Sequence, residues 1–123
     1  MAEIESRVDR ERDVTVRTVR GSVVVTDILA AIAAIGPPTK HTIWDFSAAD
    51  VDALSRADLQ VIARSALPAL AQRAGGRIAL ILASPSAYGM ARMYSHILDA
   101  KDGVVTHEPF YDIESAMAWL AEE

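Results

Sequence analysis

The chain has 123 residues, of which 51% are apolar and 24% are charged, and this composition is typical of one globular domain rather than of a disordered chain. It contains no cysteine, which excludes disulfide bonds, thiolate metal ligands and thiol catalysis. Twelve Lys and Arg against seventeen Asp and Glu give a net charge of −5, which argues against binding to the phosphate backbone of nucleic acids.

Neither the apolar runs nor the N-terminus indicates a membrane or secreted protein. The longest apolar runs, 28–36 and 78–83, are far shorter than the roughly 20 residues that a membrane-spanning helix needs. The first five residues lack the basic start and the apolar stretch of a secretory signal. We therefore expect a cytoplasmic protein with no integral membrane segment.

The first part of the chain predicts a β-hairpin followed by a helix. Residues 4–8 and 14–20 are half-apolar segments joined by a charged turn. The arginines from Arg7 to Arg20 are matched by nearby acids, and this pattern predicts a solvated strand face. Thr26 is the predicted N-cap of a helix that ends at the Gly-Pro-Pro sequence 36–38.

The next segment predicts a second strand and a second helix. Residues 41–46 form a short β-rich run, and residues 47–52 are predicted as a polar loop. Ser55 and Asp58 have the spacing of a capping box, and Pro68 is expected to kink or restart the helix. The predicted buried stripe of this helix consists of Leu59, Ile62, Ala63, Ala66 and Leu70.

Two further strand–helix units complete the pattern. Residues 77–83 are apolar on both faces, as expected of a central parallel strand, and a third helix starts at 84–86. A last strand at 104–107 precedes a helix that Asp112 caps. The predicted apolar stripe of that helix consists of Ile113, Ala116, Met117 and Leu120.

This alternation predicts a single α/β domain over residues 1–123. Four successive β-α units form a mostly parallel sheet with an N-terminal antiparallel hairpin strand, and the helices pack on the sheet.

The chain lacks the motifs of common catalytic and cofactor sites. It has no glycine-rich phosphate loop, no dinucleotide fingerprint and no nucleophile elbow. His41, His96 and His107 have no second ligand at metal-binding spacing. We therefore expect no catalytic residue, no metal and no cofactor.

Polar side chains are expected at the carboxyl ends of the parallel strands, where open sheets bind ligands. Asp45 and Ser47 follow one predicted strand, Ser84 and Ser86 follow the next, and Glu108 follows the last. These groups form a candidate rim for a ligand or a partner, although loop turns and helix caps use the same residue types.

The third predicted helix carries aromatic and methionine side chains near helical spacing, namely Tyr88, Met90, Met93 and Tyr94. Core packing accounts for one face of this helix. The remaining methionine-rich surface is a candidate apolar groove, because methionine adapts to irregular ligand or partner surfaces.

Four segments resemble the SpoIIAA-like branch of the STAS superfamily, in particular its STAS/SEC14-like bacterial group. They are Trp44-Asp45-Phe46-Ser47, the Gly-Gly-Arg-Ile-Ala-Leu-Ile sequence at 75–81, Tyr88–Tyr94 and Phe110–Leu120. The resemblance covers nearly the whole chain. It implies a non-enzymatic, cytoplasmic α/β domain that acts by binding a protein partner or a small ligand.

The resemblance also marks Ser55, which occupies the position of the serine that is phosphorylated in anti-sigma antagonists. Its neighbours differ from that family, because Leu54 precedes it and Arg56-Ala57-Asp58 replaces a Gly-Leu-Gly sequence. Ser55 is therefore a candidate phosphorylation site by resemblance and a candidate helix cap by its spacing to Asp58.

Two functions are favoured at this point, and a minor enzymatic activity at the strand-end rim is the third and least favoured. The first is a regulatory module that binds an unidentified protein partner, and it is compatible with a homodimer. The second, suggested by the likeness to SEC14-type domains, is a binder or carrier of a small apolar or lipid-like ligand. A pocket of roughly several hundred Å³ between the third helix and the sheet would favour the second. A closed core with an exposed apolar helix face would favour the first.

Overall fold

The computed structural model describes residues 2–34, 39–71, 76–101 and 105–122. In chain order its elements are β1 (Glu3–Asp9), β2 (Val14–Ser22), α1 (Val25–Ala33), β3 (His41–Asp50), α2 (Arg56–Ala71), β4 (Arg77–Ile81), α3 (Pro85–Lys101), β5 (Thr106–Phe110) and α4 (Ile113–Leu120). The predicted end of the first helix at 36–38 lies outside the described residues.

The five strands lie in the sheet in their order along the chain, from β1 to β5. β1 pairs with β2 antiparallel, and the three other neighbouring pairs are parallel. The predicted fold class is confirmed, since successive β-α units build a mostly parallel sheet with an antiparallel hairpin strand at one edge.

Polar contacts close the hairpin turn between β1 and β2. The Asp9 carboxylate accepts hydrogen bonds from the Arg12 guanidinium at 2.9 Å and from the Arg12 backbone N–H at 3.1 Å. These bonds hold the pKa of Asp9 below its usual range. Asp13 has a φ of 56°, a left-handed conformation that aspartate adopts more readily than most residues. The charged segment thus reverses the chain, as predicted.

Helices cover the two faces of the sheet unequally. Each of α1, α2 and α3 connects parallel strands in the same direction across the sheet, so right-handed crossovers place all three on one face. There they pack with Ile78 and Leu80 of β4. Helix α4 follows the last strand and covers the other face, where Ala116 and Leu120 pack with Ile43 of β3. We call these the three-helix face and the α4 face.

Helix α2 lies on the three-helix face as its periodicity predicts. It runs through Pro68 without restarting. Its predicted stripe is buried at every position, namely Leu59, Ile62, Ala63, Ala66 and Leu70.

Helix α4 starts at the predicted cap. The Asp112 carboxylate accepts a hydrogen bond from the Ser115 backbone N–H at 2.7 Å, and this bond holds the pKa of Asp112 below its usual range. Ala116 and Leu120 are buried, but Ile113 is 37% exposed. The prediction for Ile113 is wrong because it is the first helical residue and lies beyond the turn that packs on the sheet.

The start of α1 also differs from the prediction. The N-cap is Val24 rather than Thr26. The Asp27 carboxylate accepts a hydrogen bond from the Val24 backbone N–H at 3.0 Å. An acidic side chain in the first turn therefore accepts a hydrogen bond from the N-cap backbone, which is one half of a capping box, while the Val24 side chain makes no cap hydrogen bond.

Strand β3 is longer than predicted because its second half pairs with β2. Ala48, Ala49 and Asp50 lie opposite Arg20–Ser22, so most of the predicted loop at 47–52 is strand. The two strands shift register between Thr18 and Arg20, and the following Gly21 has a φ of 90°, which glycine adopts without steric cost.

Strand β5 is displaced along the chain relative to its prediction at 104–107. It includes Pro109, which lies opposite Leu80 of β4. An edge strand tolerates proline because one side of it needs no N–H donor. Strand β4, predicted as central, is internal and lies between β3 and β5.

Candidate functional site

A cavity of about 160 Å³ lies on the three-helix face, between the sheet and helices α1, α2 and α3. All but four of its lining residues are apolar, and the four are Arg17, Thr42, Tyr94 and His107. The cavity is therefore an apolar space with a few polar groups in its wall, which is the usual composition of a small-molecule site.

Short side chains on two helices explain why the space is not filled. Ala66 of α2 and Ala87 and Ala91 of α3 line the cavity. Protein interiors are normally packed as densely as organic crystals, so alanines at three facing positions leave room that leucines would occupy.

Arg17 of β2 points into the three-helix face. Its Nη1 donates a hydrogen bond to the Ala31 carbonyl of α1 at 2.7 Å, and its guanidinium lies 4.9 Å from the centre of the Trp44 ring. Trp44 stacks in turn on Phe46, with ring centres 5.9 Å apart. Both aromatic rings line the cavity, so the cation is held at its wall.

Among the residues that the structure describes, no acidic side chain forms an ion pair with this cation. Within the described ranges, the ion pairs join Arg12 to Asp9 and Arg20 to Glu5, and Arg17 is in neither. Burial lowers the pKa of the half-buried Arg17, although an arginine stays charged in proteins.

Tyr94 and His107 form the wall opposite, with their rings edge to face and 5.7 Å apart. His107 Nδ1 lies 3.2 Å from the Val105 carbonyl. Burial raises the pKa of the Tyr94 phenol, and no group in the described part of the chain forms a hydrogen bond with its hydroxyl.

Only part of the predicted apolar groove lines the cavity. Met90 and Tyr94 line the cavity. Tyr88 instead stacks on Tyr111, with ring centres 4.6 Å apart, and Met93 is 39% exposed. Two of the four side chains therefore share the site, while the other two lie towards the surface.

The predicted rim residues near β3 and β5 are not where the sequence places them. Asp45 and Ser47 lie within β3, where the Asp45 carboxylate accepts hydrogen bonds from the backbone N–H (2.9 Å) and hydroxyl (2.6 Å) of Ser47. Glu108 lies in the middle of β5, opposite Ala79 of β4. Both strands continue further than their composition indicates, so these groups do not follow strand ends.

The two rim serines after β4 lie at the start of α3. The Ser84 hydroxyl accepts a hydrogen bond from the Ala87 backbone N–H at 3.2 Å, which is the contact of a helix cap. Ser86 is an exposed residue of the first turn. The predicted rim residues are thus engaged locally or exposed, and none of them lines the cavity.

Ser55 has the contacts of a capping box. Its hydroxyl accepts a hydrogen bond from the Asp58 backbone N–H at 3.1 Å, and the Asp58 carboxylate accepts one from the Ser55 backbone N–H at 2.9 Å. The side chain is exposed at the start of α2. Phosphorylation of Ser55 stays a prediction.

Arg17, Trp44 and His107 are among the site residues that the sequence prediction missed. Arg17 was expected on a solvated strand face, and this is wrong because β2 is an internal strand with a helix above that side. Its alternation with the buried Val14 and Val16 is the signal that places it on the opposite face from them.

The described residues contain neither a metal-binding cluster nor a membrane-spanning helix. In the ranges that the structure describes, no group of three or more His, Asp or Glu side chains could hold a metal ion. Among those residues, no helix combines the length and the hydropathy needed to span a bilayer.

Comparison with known proteins identifies the fold. No protein-family model matches the chain, and no curated protein matches it. Among solved structures, it is similar to an uncharacterized protein of the DUF3478 family from Shewanella loihica PV-4, which has a SpoIIAA-like fold. The TM-score is 0.56 at 17% identity, over 98% of this chain and 94% of that one. The chain therefore has a SpoIIAA-like fold.

Proposed function

We propose that the protein binds a small apolar or amphipathic ligand in the cavity of the three-helix face. The cavity itself carries this proposal, since about 160 Å³ of space is lined mainly by aliphatic and aromatic side chains. An engineered apolar cavity of about 150 Å³ takes up benzene, so a space of this volume holds a small apolar molecule. Such a ligand gains dispersion contacts with the apolar wall.

The size of the cavity restricts the ligand. At about 160 Å³ it is smaller than the several hundred Å³ expected of a carrier of a large lipid-like ligand, so it accommodates one ring or one short chain. Helix α3 contributes Met90 to its wall, and an unbranched methionine adjusts to ligands of different shape.

The proposed function includes no catalysis. Apart from Thr42, the polar lining groups among the described residues are one arginine, one tyrosine and one histidine, with no carboxylate, serine or lysine. Such a lining suits the binding and orientation of a ligand.

Regulation through a protein partner is the second candidate function. It is favoured by the Tyr88–Tyr111 stack, in which Tyr111 is 53% exposed, because exposed aromatic side chains are enriched at interfaces. Partner capture from lysate with wild type and Tyr111→Ser as baits tests it. Loss of one specific partner from the variant supports this function, and identical capture contradicts it.

Native mass spectrometry tests the proposed ligand binding. Protein purified without denaturation should carry a small molecule that is released on unfolding, or should take up added octan-1-ol at a ratio of one to one. Ala66→Leu, which fills the cavity wall, should abolish both. Equal uptake by wild type and Ala66→Leu would contradict the proposal. The same spectra measure whether the protein forms a homodimer.

A further inference from the structure

Arg17 lies between the cavity and the outside of the protein. Besides lining the cavity, it lines a groove between β1 and α1, together with Ile4, Ser6 and Ala30. The side chain of Arg17 therefore borders both the groove and the cavity.

Within the described residues, one of the nitrogens of the Arg17 guanidinium donates a hydrogen bond. A guanidinium has five N–H donors, and one nitrogen of Arg17 donates to the Ala31 carbonyl. Asp27, which lines the same groove, accepts a hydrogen bond from the Val24 backbone N–H at 3.0 Å. Within the described residues it makes no ion pair with Arg17.

This arrangement is complementary to one negative charge. A carboxylate matches the planar fork of a guanidinium with two parallel hydrogen bonds. A phosphate monoester carries about −1.5 to −2 charges at neutral pH, whereas Arg17 is the one basic residue among the described groove residues and Asp27 is acidic. The groove therefore favours a singly charged head group.

We propose that the ligand is a single-chain carboxylate whose head group pairs with Arg17 at the groove while its apolar chain fills the cavity. This assignment rests on the proposed function. It adds an anion-binding residue and a ligand class, namely short- to medium-chain fatty acids and similar amphiphiles.

Four ligands with the same chain and different head groups test the assignment on the intact protein. Titration calorimetry at pH 7 with octanoate, octan-1-ol, octylamine and octyl phosphate should give the highest affinity for octanoate. Burial of a carboxylate beside an apolar wall is unfavourable without a cation, so octanol would bind more tightly than octanoate if Arg17 played no part. This comparison of ligands uses the wild-type protein alone.

Arg17→Met tests the residue itself, because methionine keeps much of the apolar stem and removes the charge. The affinity for octanoate should fall about 10- to 100-fold, the range expected for hydrogen bonds to a charged group. The affinity for octanol should change less than about threefold. Arg77→Met is the matched control, since Arg77 stacks on Trp119 on the α4 face, and it should leave both affinities unchanged.

Fluorescence locates the bound ligand. The chain has two tryptophans, so Trp119→Phe leaves Trp44 as the reporter in the cavity wall, and octanoate should change its emission.

The assignment is overturned if octanol or octyl phosphate binds more tightly than octanoate, or if Arg17→Met weakens the binding of octanoate and octanol equally. In those cases the proposed function stands, whereas failure of all four ligands to bind would overturn both.

Discussion

The two faces of the sheet contain the same arrangement of side chains in different surroundings. On the three-helix face, Arg17 lies over Trp44 and donates a hydrogen bond to a carbonyl of α1. On the α4 face, Arg77 lies over Trp119 at 5.0 Å and donates to the Trp119 carbonyl of α4. Each arginine thus ties a strand to the helix above it.

The surroundings of the two pairs differ. Trp119 also contacts Phe110, with ring centres 5.5 Å apart, and Ala116 of the same helix is fully buried. Trp44 instead faces the cavity that the three helices enclose. An arginine stacked on a tryptophan is therefore a structural contact in one place and part of a candidate binding site in the other, and the space beside it makes the difference.

The largest expected effect concerns the strand that both faces share. Leu80 and Ile81 of β4 point to opposite faces, and they are 7% and 2% exposed. Leu80→Asp and Ile81→Asp should each abolish cooperative folding, because an unpaired buried carboxylate costs several kcal/mol against a total stability of about 5–15 kcal/mol. Thermal unfolding followed by circular dichroism measures this. A variant that stays soluble and melts cooperatively would show that its face is not essential.

A larger side chain should destabilise the α4 face but not the three-helix face. Ala116→Leu forces three carbons into a filled part of the α4 face and should lower the free energy of unfolding by about 1–3 kcal/mol. Ala66→Leu adds the same atoms at the cavity wall and should be neutral or stabilising. Both positions are helical, where Ala and Leu have similar propensities. Urea denaturation measures both, and equal losses would contradict the difference in packing.

The Ser55 cap of α2, on the three-helix face, should contribute less to the free energy of unfolding. Ser55→Ala removes the acceptor for the Asp58 N–H and should lower the free energy of unfolding by about 1 kcal/mol. Ser55→Asn keeps an acceptor at the N-cap and serves as the control. If Ser55→Ala were as stable as wild type, the cap would contribute nothing, and its exposed hydroxyl would need another role.

The smallest effect is expected at the Tyr94 hydroxyl. Tyr94→Phe should change stability at pH 7 by less than about 1 kcal/mol, since it removes a buried hydroxyl with no hydrogen bond in the described part of the chain. Burial raises the pKa of Tyr94. The protonated Tyr94 therefore contributes fully to the free energy of unfolding below about pH 10, the pKa of tyrosine in the unfolded chain. This contribution is lost as the pH rises towards the pKa of Tyr94 in the folded protein. Wild type should lose more stability than Tyr94→Phe between pH 9 and about 11 in urea denaturation.

Local rules were sufficient to predict most of the fold. The helical spacing of apolar residues from Leu59 to Leu70 predicted the buried stripe of α2, and the spacing of Ser55 to Asp58 predicted its cap. These features depend on residues within one or two turns of each other, so the sequence contains the information directly.

The cavity depends on distances between elements, and the sequence does not state them. Ala66, Ala87 and Ala91 are equally compatible with close helix packing and with a gap. The direction of Arg17 follows from strand alternation, but its burial depends on the helix that covers that side. For the same reason the end of β3 at Asp50 was missed, because pairing with β2 extends a strand whose own residues favour a loop.

The agreement between strand order and sequence order has a consequence for synthesis on the ribosome. Each new strand pairs with one that has already emerged, so the sheet can grow vectorially at about 5–20 residues per second. The three crossover helices arrive with their strands and cover one side as the sheet widens. The other side, including Val14 and Ile43, stays uncovered until α4 is made, because α4 follows β5 in the chain. During that interval the nascent chain presents an apolar strip that is vulnerable to aggregation, and completion of residues 113–120 ends the exposure.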